Sequence, residues 1–284
     1  MANLTVSRAR NILQGEFGRV ALLNMDRSLV PHAHRACHVL FKAGGADSAF
    51  TVNDQVCELT RDTAVVVNAW EKHSYTHRAA VEETQILALY IEPSWLASID
   101  RQLIVSGAAG FFFQPSVRLN ANIAQKAAEL EHLLCSPDDQ RQPETEALVF
   151  DLMVLVFDAF SNRRALLSDL HRALDTDYRV RRAINWLRPR LGQPLNLSAM
   201  AKEAGLSRSH LFARFRQTTG LTPVMFLNTL RMEAAHPLLT DQTKPLIEIG
   251  QRLGFNAQGN FSRFFREHQG ISPSEYRRVT QRLS

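Results

Sequence analysis

One stretch near the C-terminus, residues 246–278, constrains the fold more than any other part of the chain. It has the pattern of two short helices joined by a tight turn at Gly254, where a positive φ is favourable only for glycine. Apolar residues repeat at helical spacing along one side of each predicted helix: Leu246, Ile249 and Leu253 in the first, and Phe261, Phe264 and Phe265 in the second. A Gly-x-Ser-Pro sequence at 270–273 then ends the second helix.

The opposite side of the second predicted helix is polar. Gln258, Ser262 and Arg266 are spaced by four residues, and Asn260 and Arg263 lie alongside them. A short helix that rests on another helix and presents amide, hydroxyl and guanidinium groups suits the major groove of DNA, where the base edges carry donors and acceptors. The pattern therefore predicts a DNA-reading helix-turn-helix.

The same plan occurs once more, in residues 197–226. Its turn glycine, Gly205, lies 49 positions before Gly254. Five positions recur at a spacing of 50: Leu211, Phe215, Gly220, Pro223 and Phe226 return as Phe261, Phe265, Gly270, Pro273 and Tyr276. Because two copies are too few for a solenoid, the sequence predicts a duplicated DNA-reading unit.

The ordered motif of the second unit resembles the signature of AraC-type transcription regulators. It consists of Ile249, Gly254, Phe255, Phe261, Arg263, Phe265, Gly270, Ser272, Pro273, Tyr276 and Arg277. The resemblance is specific over the C-terminal part of the chain. It implies an α+β protein with an N-terminal cupin-like β-barrel, flanking helices, and a C-terminal all-α domain that holds two helix-turn-helix units.

The resemblance also implies which side chains contact DNA. Base contacts are expected from Arg208, Ser209, Phe212 and Ala213 in the first unit, and from Gln258, Gly259, Asn260, Ser262 and Arg263 in the second. Phosphate contacts are expected from Arg214, Arg216, Arg266, Arg277 and Arg278. Such contacts add affinity and salt dependence but little sequence choice.

Three positions depart from the family pattern. Ala213 stands where the family often has arginine. Phe212 is compatible with contact to a thymine methyl group and equally with a place in the core. Pro237 lies within the helix expected to join the two units, so we expect that helix to kink or to end after Ala235.

Charge divides the chain in the same way. Residues 179–284 contain 17 Lys and Arg against 6 Asp and Glu, whereas residues 1–178 contain 16 against 22. A basic C-terminal part joined to an acidic N-terminal part fits a polyanion binder attached to a domain with another task. We expect a domain of residues 1–170 for effector sensing and dimerisation, and a DNA-binding domain of residues 171–284.

The composition of the chain indicates the cellular compartment in which the protein is expected. The chain has no run of 18 apolar residues and its N-terminus lacks an apolar signal region, so we expect neither a membrane span nor a signal peptide. Cys37, Cys57 and Cys135 are odd in number and widely spaced. They fit reduced, buried thiols in the cytoplasm better than a disulfide set.

The N-terminal part carries short β-like runs separated by turn residues, which favours a β-barrel or sandwich. The runs are Val20–Leu23, His38–Phe41, Ala49–Val52, Ala64–Val67 and Ile86–Ile91. A helix start is predicted at Pro93, and amphipathic helices over 117–135 and 144–162. The apolar stripe of the last helix (Leu148, Leu152, Leu155, Val156, Phe160) packs either within the chain or on a second subunit.

Histidines suggest a metal site in the barrel. By similarity to cupin-like proteins, His32 and His34 match a His-x-His pair, His38 stands in place of a glutamate, and His73 matches a distant histidine. Imidazoles suit zinc, iron, nickel or copper. The alternative is that these histidines line a polar pocket without metal. Phe50, Trp70 and Tyr75 are candidates for an apolar effector pocket.

The sequence therefore predicts a transcription regulator, expected to be an activator. Its partners would be double-stranded DNA, a small-molecule effector, RNA polymerase and a second copy of the chain. Two alternatives stay open: a metal-dependent cupin enzyme fused to a DNA-binding part, and a regulator that works through protein contacts alone. We find no Ser-His-Asp or Cys-His arrangement and no Gly-rich phosphate loop, so we expect no catalysis.

Overall fold

The computed structural model describes residues 7–77, 82–135, 142–162 and 177–282. Within these ranges the chain forms a sheet-rich N-terminal part and a helical C-terminal part. None of the helices in these ranges combines the length and the hydropathy that crossing a bilayer requires. The domain boundary expected at residues 170–171 lies outside the described residues.

The N-terminal part is built from two antiparallel sheets that enclose an apolar interior. Its strands are β1 (Arg8–Gly15), β2 (Gly18–Met25), β3 (Cys37–Gly45), β4 (Ser48–Val52), β5 (Gln55–Leu59), β6 (Thr63–Val67), β7 (His73–Thr76), β8 (Thr84–Ile91) and β9 (Ser116–Arg118). The larger sheet has the strand order β1-β2-β8-β3-β6-β9, and the smaller one has the order β5-β4-β7. All five strands predicted from the sequence lie within observed strands.

The larger sheet is buried on both faces, which explains why its central strands are almost uniformly apolar. On one face Val20, Leu22 and Leu89 pack against helices. On the other face Ala21 and Ala88 point into the barrel. The helices on the outer face are α1 (Pro93–Ile99), α2 (Ala121–Cys135) and α3 (Gln142–Phe160), with a 3-10 helix over Arg101–Gly107.

One helix boundary and one prediction of burial need correction. The helix predicted from residue 117 begins at Ala121, because Ser116–Arg118 pairs with β6 as a strand and the Asn120 side chain caps the helix by accepting the Ile123 N–H. Cys135, predicted to be buried, is exposed at the end of α2, while Cys37 and Cys57 are buried as expected.

The C-terminal part consists of seven helices within residues 177–282. They are α4 (Tyr178–Leu187), α5 (Leu197–Glu203), α6 (Arg208–Thr219), α7 (Pro223–Thr240), α8 (Leu246–Arg252), α9 (Gln258–Gln269) and α10 (Pro273–Val279). Helices α5 and α6 form the first helix-turn-helix, α8 and α9 the second, and α7 joins them. The repeat is visible in the caps, since the Thr222 and Ser272 side chains each accept the N–H of the residue three positions on.

Of the two outcomes expected from Pro237, a kink or an end after Ala235, the second does not occur. Helix α7 continues through Pro237 to Thr240. Proline removes one main-chain hydrogen bond at an exposed position, whereas Ala235, His236 and Leu239 are buried on the inner side of the helix. Burial of these neighbours offsets the local cost, so the helix persists.

The two parts of the chain are joined along an extensive junction. A short strand, β10 (Thr280–Arg282), pairs in parallel with β1, and the Ala9 N–H donates to the Glu275 carboxylate. The Val30 N–H donates to the main-chain carbonyl of Glu267 at 3.1 Å. The barrel interior and the core of the second helix-turn-helix form a single apolar cluster, which includes Ile12, Met25, Phe50, Met232, Phe261, Phe265 and Tyr276.

The two turn glycines provide a matched stability test. Gly205 has φ 65° and a Cβ there would meet nothing within 4 Å, whereas at Gly254, with φ 88°, it would lie 3.0 Å from the carbonyl of Gly192. We expect Gly205→Ala to lower the free energy of unfolding by about 1–2 kcal/mol, from backbone strain alone. Gly254→Ala should lower it by about 3 kcal/mol, because strain and a clash combine. Urea unfolding followed by circular dichroism measures both, and equal losses would contradict the close approach.

Candidate DNA-binding surface and imidazole cluster

The first recognition helix, α6, has an apolar inner side and an exposed outer side. Ser207 caps it by accepting the His210 N–H, as its position in the sequence predicts. Leu211 and Phe215 are fully buried. The exposed side chains include all four predicted base-contacting residues of this unit, Arg208, Ser209, Phe212 and Ala213, together with Arg214 and Arg216. The Phe212 side chain is 42% exposed, which places it outside the core.

The second recognition helix, α9, repeats this arrangement with a larger aromatic inner side. Phe261, Phe264 and Phe265 are buried and Phe255 packs against the first two, with ring centroids 5.7 and 4.8 Å apart. The predicted base-contacting residues Gln258, Gly259, Asn260 and Arg263 are exposed, and Ser262 is half-buried. Each unit therefore presents a polar strip that is held in place by buried phenylalanines.

Most of the predicted phosphate-binding arginines are free to meet a polyanion. Arg214, Arg216, Arg266 and Arg278 are exposed, and none of them pairs with a carboxylate in the part of the chain that the structure describes. Arg277 differs, because its guanidinium donates to the main-chain carbonyls of Leu239 at 3.3 Å and Lys244 at 2.7 Å. These bonds hold α10 against the end of α7. The main role of Arg277 is therefore to hold these helices together.

Three of the four predicted metal residues, His32, His34 and His73, converge where the barrel meets the second recognition helix. The ring centroids of His32, His34 and His73 are 4.5–4.9 Å apart, and one nitrogen from each lies within 4.8 Å of the others. An antiparallel bridge with two 2.9 Å hydrogen bonds places His32 opposite His73. All three are buried.

His38 does not belong to this group of three. Its ring stacks on Tyr90, with centroids 4.0 Å apart, and lies 5.2 and 5.4 Å from the rings of His34 and His73. A histidine that the sequence analysis missed lies on the other side. His268, in the last turn of α9, has its ring 6.1 Å from that of His32. No local pattern indicates this contact, because it joins residues 236 positions apart.

Hydrogen bonds fix the orientation of two of the imidazoles. The Nδ1 atoms of His32 and His73 lie 2.6 and 2.9 Å from the carbonyls of Val30 and Glu71, so Nδ1 carries the proton and Nε2 keeps its lone pair. Burial and neighbouring imidazoles lower the pKa of His32, His34 and His38 well below the usual value, and burial lowers the pKa of His73 to about 4. The rings are therefore neutral at pH 7.

This donor set fits the divalent metal that cupin-like barrels imply. The Nε2 atoms of His34 and His73 are buried without a hydrogen-bond partner in the described residues, although such orphaned polar atoms are rare in native proteins. Neutral imidazole nitrogens are ligands for zinc, copper, nickel and iron. The carbonyls that accept from Nδ1 of His32 and His73 are typical outer partners of metal-bound histidines.

The predicted effector residues do not share one cavity. Phe50 and Tyr75 pack on each other inside the barrel, with ring centroids 5.2 Å apart. Trp70 stacks on Phe226, at 4.8 Å, beside a cavity of about 670 Å³ between barrel loops and the first helix-turn-helix. The structure thus separates Trp70 from the other two.

A second cavity, of about 250 Å³, lies between the barrel and α7. The buried Arg19 lines it, with its guanidinium 3.8 Å from the centroid of the Tyr90 ring and 2.6 Å from Nε2 of His236. Glu233 on α7 and Arg35 on the barrel side add opposite charges to the wall. No local sequence pattern indicates the contact of Arg19 with His236, because the two residues are 217 positions apart in the chain.

Known proteins resemble each half of the chain and also nearly its whole length. A helix-turn-helix domain model matches residues 200–279, and an AraC-like ligand binding domain model matches residues 20–153. The HTH-type transcriptional activator RhaS of Salmonella paratyphi A is 27% identical over 261 residues, which cover 89% of each chain.

Solved structures show the same fold over nearly the full length. An apo form of ToxT from Vibrio cholerae matches with a TM-score of 0.56 and 13% identity, and the match covers 92% of this chain and 96% of ToxT. Unsaturated fatty acid bound wild-type ToxT matches with a TM-score of 0.54 and 12% identity, over 92% and 94% of the two chains. These likenesses concern the fold alone.

Two phenylalanines on α6 test the division into inner and outer sides. We expect Phe212→Ala to change the free energy of unfolding by less than about 0.5 kcal/mol, because the ring is exposed. Phe215→Ala should lower it by about 3–5 kcal/mol, because it empties a buried site. Urea unfolding of both variants measures the difference. A large loss of unfolding free energy in Phe212→Ala would show that this ring belongs to the core.

Proposed function

Because the chain belongs to the AraC-type family of transcription regulators, we propose that it activates transcription by binding a specific double-stranded DNA sequence with α6 and α9. One observation carries this proposal. Each helix presents an exposed polar strip, including Arg208 and Ser209 in α6 and Gln258 and Arg263 in α9, on a rigid aromatic base. Two such strips suit two successive major grooves, which are about 34 Å apart on one face of DNA.

The side chains divide into two roles. Base edges are read by Arg208, Ser209, Phe212 and Ala213 in the first unit and by Gln258, Gly259, Asn260, Ser262 and Arg263 in the second. Phosphates are held by Arg214, Arg216, Arg266 and Arg278, and more weakly by Arg277, whose guanidinium already binds main-chain carbonyls. Phe212 has the exposure that contact with a thymine methyl group requires.

The N-terminal barrel is proposed to receive a small-molecule effector, which is supported by the match to a ligand-binding domain. Its site is the 250 Å³ cavity, because that cavity touches both the barrel and α7, which joins the two DNA-reading units. An occupant there contacts both parts at once. The enzyme alternative finds no support in the relatives, which are transcription regulators.

Further partners follow from the same role. Activation implies contact with RNA polymerase, in line with the activator RhaS, and action on DNA implies a cytoplasmic protein. We also propose a homodimer, although the α3 stripe does not argue for it. Leu148, Leu152 and Val156 are buried within the chain, so this stripe is used internally. Sedimentation of the purified protein with and without DNA measures the oligomeric state.

Gln258→Ala tests base reading. Footprinting first locates the site in the DNA that flanks the protein's own gene, and a set of single base-pair changes in that site is then titrated. We expect Gln258→Ala to weaken the preferred site by about 1–3 kcal/mol and to remove discrimination at one base pair. Loss of affinity that is equal for every base-pair change would refute the assignment. Absence of any footprint would favour a regulator that acts through protein contacts.

Arg266→Ala tests phosphate binding and serves as the matched comparison on the same helix. This variant should weaken all sequences alike and reduce the slope of log K against log salt by about 1, because one fewer counterion is released. Titration of DNA at several salt concentrations measures the slope. A slope that stays unchanged, together with altered base preference, would move Arg266 into the base-reading set.

A further inference from the structure

We propose that His32, His34 and His73 bind a divalent transition-metal ion and that the bound ion strengthens the docking of helix α9 on the barrel. The inference rests on the proposed function in one respect: docking of α9 matters because this helix reads DNA. The ion is a second ligand beside the small molecule proposed for the cavity at Arg19, and the two sites adjoin at His34, which also lines that cavity.

The three rings lie close enough together for one metal ion to bridge them. Zinc–imidazole nitrogen bonds of about 2.0–2.1 Å, arranged tetrahedrally, place ring centroids roughly 5 Å apart. The observed separations are 4.5, 4.9 and 4.9 Å. The Nε2 atoms of His34 and His73 are buried and have no partner within the described ranges, so an ion would satisfy lone pairs that nothing else satisfies.

The ligand chemistry selects the class of ion. In the described part of the chain, the convergent group consists of three imidazoles and includes no carboxylate. Magnesium and calcium require oxygen ligands, so they are excluded, whereas zinc, cobalt and nickel accept nitrogen. Three protein ligands leave a fourth position open. On the DNA-binding side, the His268 ring lies 6.1 Å from that of His32.

A hydrogen-bonded chain connects the site to the recognition helix. Nδ1 of His32 binds the carbonyl of Val30 at 2.6 Å, and the Val30 N–H donates to the carbonyl of Glu267 in α9 at 3.1 Å. A metal on Nε2 makes Nδ1–H a stronger donor and fixes the His32 ring. Both effects hold Val30 in the position from which it binds α9.

The first experiment measures binding directly. Untagged full-length protein is stripped with a chelator and titrated with Zn²⁺, with Co²⁺ as a spectroscopic probe and Mg²⁺ as a negative control. We expect one Zn²⁺ per chain, a tetrahedral Co²⁺ spectrum with nitrogen ligands, and no binding of Mg²⁺. His34→Ala and His73→Ala should weaken Zn²⁺ binding at least about 100-fold, on the scale at which even outer-shell partners matter.

His132→Ala is the matched control, because His132 is exposed on α2, remote in sequence from the three ligands. It should bind one Zn²⁺ with unchanged affinity. Failure of the wild-type protein to bind Zn²⁺ or Co²⁺ would overturn the site. This outcome does not depend on whether any variant folds. Equal loss in His132→Ala and His73→Ala would assign the signal to surface histidines, which also overturns it.

The second experiment measures the coupling. Hydrogen exchange of wild-type protein is compared with and without Zn²⁺. We expect at least about tenfold slower exchange at the Val30 amide, which donates to α9, and in the C-terminal turn of α9, with no change in α6. Stoichiometric binding without slower exchange at Val30 would overturn the coupling and keep the site. Footprinting by the metal-free protein tests the proposed DNA-binding function separately, because that function does not require the ion.

Discussion

The structure depends on one apolar contact, the burial of the aromatic side of α9 and of Tyr276 in α10 against the barrel. Phe261, Phe265 and Tyr276 lie in the same cluster as Ile12 and Met25 of the barrel sheet. Each large side chain buried in this way contributes about 1.5–3 kcal/mol, so the contact outweighs any single polar interaction at the junction. The second recognition helix is consequently a part of the barrel's own core, and its outer strip is oriented by that core.

The first helix-turn-helix is held differently, although its sequence repeats that of the second. Its residues form a separate cluster with Val180, Leu211 and Phe215, which meets the barrel at Ala33 and at the stack of Trp70 on Phe226. The glycines after the two recognition helices show the same asymmetry. A Cβ at Gly220 would meet nothing, whereas at Gly270 it would lie 2.8 Å from the end of Met25. The second unit of the duplication therefore packs more closely on the barrel at this position than the first does.

Local signals explain how much could be predicted from the sequence. The cap at Ser207, the positive φ at Gly254 and the inward phenylalanines depend on neighbours within about one turn, so a pattern is sufficient to find them. Strand β10 could not be predicted, because Thr280 pairs with Ile12 across almost the whole chain. The end of the connecting helix was misplaced at Ala235 for a related reason. The rule against proline within a helix is local, while the burial that retains the helix comes from tertiary packing.

The candidate sites divide in the same way. The resemblance to the histidine pattern of cupin-like proteins predicted that His32 and His34 approach His73, and the structure brings these three together. The same pattern included His38, which stacks on Tyr90 instead. The approach of the His268 ring to His32, and the contact of Arg19 with His236, result from docking of the helical part on the barrel. The sequence around these residues does not indicate this docking. Phe50 and Trp70 were grouped because both are aromatic and close in sequence, yet they face different cores. Residue type alone does not tell on which side of a sheet or loop a ring lies.

The polar contacts at the junction contribute free energies of the magnitude that allosteric regulation requires. Allosteric coupling energies are typically about 1–3 kcal/mol. A main-chain hydrogen bond such as Val30 to Glu267 contributes about 1 kcal/mol net, so a few such bonds at the edge of the apolar contact span this range. The apolar contact itself is too large for a small ligand to reverse. Under the proposed function, an effector in the cavity at Arg19 would therefore act on the polar rim and on α7, which lines that cavity, while α9 stays docked.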